Sequence, residues 1–136
     1  MSQLLVNIDV PDLARAVDFY TKAFGLSVHR RFGEQGVELG GFAVPLFLLR
    51  KDAGTKGAPR SVRTYERHWT PVHLDVIVDD LDPAVKRAVA AGARVEHSAR
   101  SAIWGKSVML ADPFGHGLCL IQFVNRGYDE IAEPAA

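Results

Sequence analysis

Two stretches decide how this chain folds: LLVNIDVPDLA, residues 4–14, and VHLDVIVDDLD, residues 72–82. Each is a short run of alternating apolar and polar residues that ends in Asp-Leu and enters a helical pattern. Aligning Asp12-Leu13 with Asp80-Leu81 makes the following apolar positions coincide. Leu13, Ala16, Val17 and Tyr20 fall at i, i+3, i+4 and i+7, one face of a helix, and Leu81, Ala84, Val85 and Ala88 repeat the spacing. Asp12 and Asp80 (or Asp82) can accept hydrogen bonds from the free amides of a first helical turn. Pro83 is tolerated there, because those amides lack intrahelical partners. Phe24-Gly25 and Ala91-Gly92 end the two patterns with glycine, which favours a left-handed C-cap. The chain therefore builds one unit twice.

Working outward, the periodicity changes from helical to strand-like after each helix. In the first half the expected strands are Ser27–Arg31, Gly36–Leu39 and Ala43–Lys51. In the second they are Ala93–His97, Lys106–Ala111 and Gly117–Phe123. Each half reads as β-α-β-β-β, giving modules at residues 4–51 and 71–123 within a single α+β domain. Asp52–Thr70 is rich in glycine, proline and charge and reads as a linker. The polar tail, residues 124–136, is expected to be partly disordered after Gly127. Neither half covers both faces of its own sheet, so the halves should pair.

Composition narrows the function classes. The 136 residues suit one domain, and 16 Lys plus Arg balance 16 Asp plus Glu. No overall field attracts nucleic acid or anionic lipid, and no basic-aromatic pattern suggests a nucleic-acid partner. The single cysteine, Cys119, excludes an internal disulfide and suits a reducing compartment. The start, MSQLLVNIDV, has no basic region before a long apolar stretch. No run approaches the roughly 20 apolar residues of a membrane helix. The expectation is a cytoplasmic protein without membrane or nucleic-acid partners. GEQGVELGG does not sit between a strand and a helix as a phosphate loop must, and no Ser-His-Asp signature is present.

Two duplicated β-α-β-β-β units, with DLARAVDFYTKAFGL and ADPFGHGLCLIQF in register, resemble the vicinal oxygen chelate superfamily: glyoxalase I, bleomycin-resistance proteins and extradiol dioxygenases. The resemblance covers about residues 4–123. It implies two modules whose curved sheets form a half-barrel cavity for a small molecule. It also implies four metal-ligand positions, on the first and last strands of each module, which fall here on Leu5, Phe47, His73 and Cys119. Two of these carry no donor, so no metal cofactor is expected; the weaker alternative is a divalent ion held through His73.

Side chains alternate faces along a strand. Leu4, Val6, Ile8 and Val10 should pack under the first helix, leaving Leu5, Asn7 and Asp9 toward the cavity. Leu74, Val76 and Val78 should do the same under the second, leaving His73, Asp75 and Ile77 inward. His73 and Asp75 share a face and form the candidate acid–base pair. Leu5, Asn7, Phe47, Trp104 and Cys119 are the candidate ligand contacts. Trp104 can stack on a planar ligand or merely cover the sheet edge. Cys119 lacks a cationic neighbour in sequence and reads as an inert thiol. His116 is expected to reach a nearby carbonyl within its turn, and His68-Trp69 to pack at the module junction, the alternative being a contribution to the pocket. Such a lining suits a small, partly apolar or carbonyl-bearing molecule, with metal-free isomerase or lyase chemistry. The alternatives are a metal-dependent lactoylglutathione-lyase type of enzyme and a non-catalytic drug-sequestering protein. The sheet edges favour a homodimer.

Overall fold

A computed structural model describes residues 1–135. The first module runs β1 (Val6–Val10), α1 (Leu13–Phe24), β2 (Ser27–Phe32), β3 (Gly36–Gly40) and β4 (Leu46–Arg50). A small hairpin follows, β5 (Lys56–Ala58) and β6 (Ser61–Val62). The second module runs β7 (Leu74–Ile77), α2 (Leu81–Ala91), β8 (Arg94–Ala102), β9 (Gly105–Ala111) and β10 (Gly117–Phe123). The sheets have matching orders, β1-β4-β3-β2 and β7-β10-β9-β8, each with one parallel pair at the first strand. The fold is α+β, as the repeat requires.

The caps explain why the helices begin and end where they do. The Asp12 side chain accepts from the Arg15 amide at 3.0 Å, and Gly25 at φ 67° closes α1 in the left-handed region. The second copy solves the same problem differently. Asp80 makes no side-chain cap; instead Gln122 on β10 accepts from the Leu81 amide at 2.8 Å. Gly92 ends α2 at φ 126°, outside the left-handed helical region.

One apolar core joins the modules. Ile8, Val10, Leu46 and Leu48 lie under α1, Leu110, Leu118 and Leu120 under α2, and all belong to one buried cluster. The two helices pack together, α1 bringing the bulky Phe19 and Tyr20 and α2 the small Ala84 and Ala88. Phe19 and Tyr20 meet edge to face with centroids 4.9 Å apart. Each such buried aromatic stabilises the fold by about 1.5–3 kcal/mol relative to exposure. At the midline β1 and β7 face each other without a shared ladder, and Val6 and Leu74 border crevices on both sides of it.

Several sequence expectations require correction. Leu4 is not under the helix: β1 starts at Val6, and Leu4 lies exposed before it. The strand expected at Ala43–Lys51 is confined to Leu46–Arg50, because Pro45 has no amide for the ladder. The strand expected at Ala93–His97 extends to Ala102, carried past two register shifts against β9. The linker holds the β5–β6 hairpin. The tail is ordered for one 3₁₀ turn, Gly127–Glu130, whose Tyr128 packs on Phe123 and Trp104 at centroid distances of 4.8 and 5.0 Å.

Candidate functional site

On β7, β9 and β10 alternation leaves one face to α2 and the other open. Leu118 and Leu120 are buried, whereas Cys119 is half-buried on the open face. Asp75 is its register partner on the parallel strand β7, and Met109 its partner on antiparallel β9. His73, one residue before β7, places Nε2 3.4 Å from the Asp75 carboxylate. Burial, and then the neighbouring Asp75 charge and hydrogen bond, push the Cys119 thiol up from its ordinary value. A thiol so held is a weak nucleophile. The structure thus brings His73, Asp75 and Cys119 together.

A crevice of about 240 Å³ opens beside them, bounded by Arg67, Trp69, His73, Met109 and Cys119. Arg67 has no obvious signal in the sequence, since its partner lies 29 positions away: Nε and Nη2 donate to the two Glu96 oxygens at 2.8 and 3.0 Å. Its guanidinium lies against Gly117, where an added Cβ would sit 2.6 Å from Nη2. The linker is therefore latched to the second module at Arg67. A second latch holds it to the first: Arg63 Nε donates to Asp9 at 2.8 Å, and the Tyr65 hydroxyl donates to the Lys51 carbonyl at 2.6 Å. Burial, with the Asp9 charge next, pushes the Tyr65 phenol up from its ordinary value.

The matching face of the first module is built differently. Phe47 is the register partner of Asn7, as Cys119 is of Asp75, so the internal repeat equates Phe47 with Cys119. Phe47 stacks on Phe32 at 6.0 Å, and Arg30 pairs with Glu38 while lying over the Phe32 ring. Leu5 precedes β1 and is exposed. Neither Leu5 nor Phe47 borders the Cys119 crevice. Asn7 instead lines the midline crevice that His73 also borders. Trp104 lies with Phe123 and Tyr128, four residues along β10 from Cys119 or ~13 Å at strand rise. It packs in an aromatic cluster at the end of β10, away from the Cys119 crevice.

Two further expectations change. His116 does not reach a carbonyl: its Nδ1 meets the Asp112 carboxylate at 2.7 Å. His68 and Trp69 are exposed, Trp69 at 80%, rather than packed into the junction; His68 borders the midline crevice and Trp69 the Cys119 crevice.

The four positions at which a metal is implied do not fit one. Leu5 and Phe47 offer only carbon, and a divalent ion in such folds requires several N, O or S donors in fixed geometry. Among the described residues no three His, Cys, Asp or Glu side chains group closely enough to share an ion.

Comparison with known proteins fits this geometry. The Glyoxalase-like domain family matches residues 5–121. An uncharacterised protein of Mycobacterium bovis is 34% identical over 134 residues, covering 92% of this chain and 86% of its own. Among solved structures, a glyoxalase-related enzyme from Fulvimarina pelagi superposes with a TM-score of 0.71 at 20% identity, covering 90% of this chain and 88% of its own. The fosfomycin resistance protein FosX of Listeria monocytogenes gives 0.70 at 15% identity, covering 97% and 99%. With its duplicated β-α-β-β-β units and this match over most of its length, the chain belongs to the Glyoxalase-like domain family.

Proposed function

We propose that this protein binds a small, partly apolar or carbonyl-bearing molecule on the open face of its second module, and acts on it without a metal. The observation that supports this reading is the His73–Asp75 contact of 3.4 Å beside a crevice, in a family position set where Leu5 and Phe47 replace donors. Asp75 orients the His73 imidazole, which takes and returns a proton; the raised Cys119 thiol donates a hydrogen bond rather than attacking. Isomerase or lyase chemistry at a carbon next to a carbonyl meets these demands. Leu5 and Phe47 lie outside the Cys119 crevice, and Asn7 borders the neighbouring midline crevice instead.

The test is a thermal-shift screen of α-dicarbonyl and hydroxy-carbonyl compounds on chelator-treated protein, followed by turnover assays. A ligand that binds only the native state raises its melting point. Stabilisation and turnover unchanged by chelation are expected. Turnover that appears only after one equivalent of nickel, zinc or manganese is restored would overturn the reading in favour of a metal-dependent lyase. Stabilisation without turnover would overturn it in favour of a non-catalytic, sequestering protein.

The same reading places the protein in the cytoplasm, where the lone thiol stays reduced, and pairs it as a homodimer. β2 and β8 are exposed along their whole length, and open edges of this kind are ordinarily covered. Sedimentation equilibrium at micromolar concentration should return twice the 14.9 kDa chain mass. A monomer mass refutes the dimer.

A further inference from the structure

The turn ADPFGHG carries a second cluster, separate from the Cys119 face. Asp112 is wholly buried and accepts four hydrogen bonds: from the Tyr20 hydroxyl at 2.7 Å, from the amides of Phe114 and His116 at 2.9 Å each, and from His116 Nδ1 at 2.7 Å. That last bond places a proton on Nδ1, so in the neutral imidazole Nε2 is the acceptor. Nε2 has no protein partner among the described residues, and the His116 side chain keeps 31% of its surface accessible. Its ring borders the midline crevice between β1 and β7, a space of about 190 Å³. The lining is largely apolar, with Val6, Ile8, Leu74 and Phe114 among the walls, and Tyr65 meets the His116 ring edge-on at 6.2 Å. Asn7, whose amide has no hydrogen-bond partner among the described residues, is a further polar group on the wall.

From this arrangement we infer that the midline crevice is a second binding site, which takes a single-ring phenol with its hydroxyl donating to His116 Nε2. Size sets the scale: an apolar cavity of about 150 Å³ accommodates benzene, so a crevice of about 190 Å³ matches a single ring. Chemistry sets the second. An acceptor nitrogen backed by a buried carboxylate demands a donor, which a phenol supplies and an anion does not. The linker forms the outer wall and is held tightly there: a Cβ at Gly115 would lie 2.6 Å from the Tyr65 carbonyl. His73 borders both this crevice and the Cys119 face, so the two sites share one wall while presenting different groups.

The experiment uses the full chain with ¹⁵N-labelled histidine, titrated with phenol and separately with toluene, and reads the imidazole resonances. Phenol is expected to move the His116 Nε2 signal saturably. Toluene should bind at least about tenfold more weakly, the difference one hydrogen bond makes. His116→Asn should abolish the preference for phenol over toluene; should that variant unfold, the wild-type titration still decides. Absence of a saturable His116 shift up to the solubility of phenol, equal responses to both probes, or a shift at His73 alone would each overturn the assignment.

Discussion

The two modules share an order of strands and differ in what they leave free. On the open face of the first, Asp9 is engaged by Arg63, Glu38 by Arg30 and Phe47 by Phe32, and Asn7 alone of the strand positions discussed lacks a side-chain partner among the described residues. On the second, His73, Asp75 and Cys119 stand beside a crevice, and the Asp112–His116 pair stands beside another. The repeat supplies two equivalent faces, and the proposed chemistry is concentrated on one. The first module acts as the scaffold, giving α1 its aromatic face and Tyr20 as a donor to the second module's turn.

The sharpest way to break this division is at Asp112, where the modules are tied across 92 positions of chain by the Tyr20 hydrogen bond. Asp112→Ala strands two amides, a hydroxyl and an imidazole in a buried site. The expected loss is about 3–5 kcal/mol, the usual cost of removing one partner of a buried charged network. Urea unfolding measures it; a loss below 1 kcal/mol would show that the tie is incidental. The pH dependence follows with a definite sign. Burial pushes the Asp112 carboxyl up, but its bonds to His116, Tyr20 and the His116 amide outweigh this and leave it below its ordinary value. Its contribution is therefore present above the unfolded carboxyl range of about pH 4 and is lost as pH falls through the lower folded value. Burial, then Asp112, push the Tyr20 phenol well above its ordinary value. That contribution is present below about pH 10 and is lost as pH rises beyond it. Tyr20→Phe should remove the alkaline limb, and urea midpoints across pH would show whether it does.

A smaller effect is expected where the linker meets the second module. Gly115 sits at φ 90°, in a region side chains rarely adopt, and its added Cβ would face backbone atoms of Tyr65 and Arg67 at 2.6 and 3.1 Å. Neither can rotate away. Gly115→Ala should cost about 1–3 kcal/mol and speed proteolysis between residues 64 and 70. The equivalent test on the first module is milder at Gly33, which has a positive φ and nothing near its Cβ position. If both alanine variants lose stability equally, backbone strain alone explains the effect and the close approach of the linker adds nothing.

The sequence carried the repeat well, because periodicity and Asp-Leu helix starts are local signals. The alternation that buries Ile8 and Val10 was equally legible, though it extended too far, to the exposed Leu4. What it could not carry were pairings between distant positions. Arg67 with Glu96 and Arg63 with Asp9 are 29 and 54 residues apart, and a charge-rich linker reads the same whether it is latched or loose. Gln122 as the acceptor for α2 was hidden for the same reason. His116 is a different case. An Asp followed by Pro, with a His four positions on, is the pattern of an Asx-type turn, and it could have pointed to the carboxylate. Tyr20 as the third member could not.

The smallest stability effect, and the finest test of the comparison, is at His73. Its side chain is 60% exposed, so His73→Ala forfeits little packing and should change stability by less than about 0.5 kcal/mol. Binding on the Cys119 face should weaken about tenfold, as expected when one oriented hydrogen-bonding group is lost. Its counterpart in the repeat, Leu5, provides the control. Leu5→His restores the residue type at the matching position, yet Leu5 does not border the Cys119 crevice. Binding there should be unchanged, and the protein should retain no stoichiometric divalent metal after dialysis. Calorimetric titration of both variants with a stabilising ligand from the screen decides the matter. If Leu5→His alters binding as strongly as His73→Ala, the two modules contribute to one shared site, and the assignment of chemistry to the second alone is wrong.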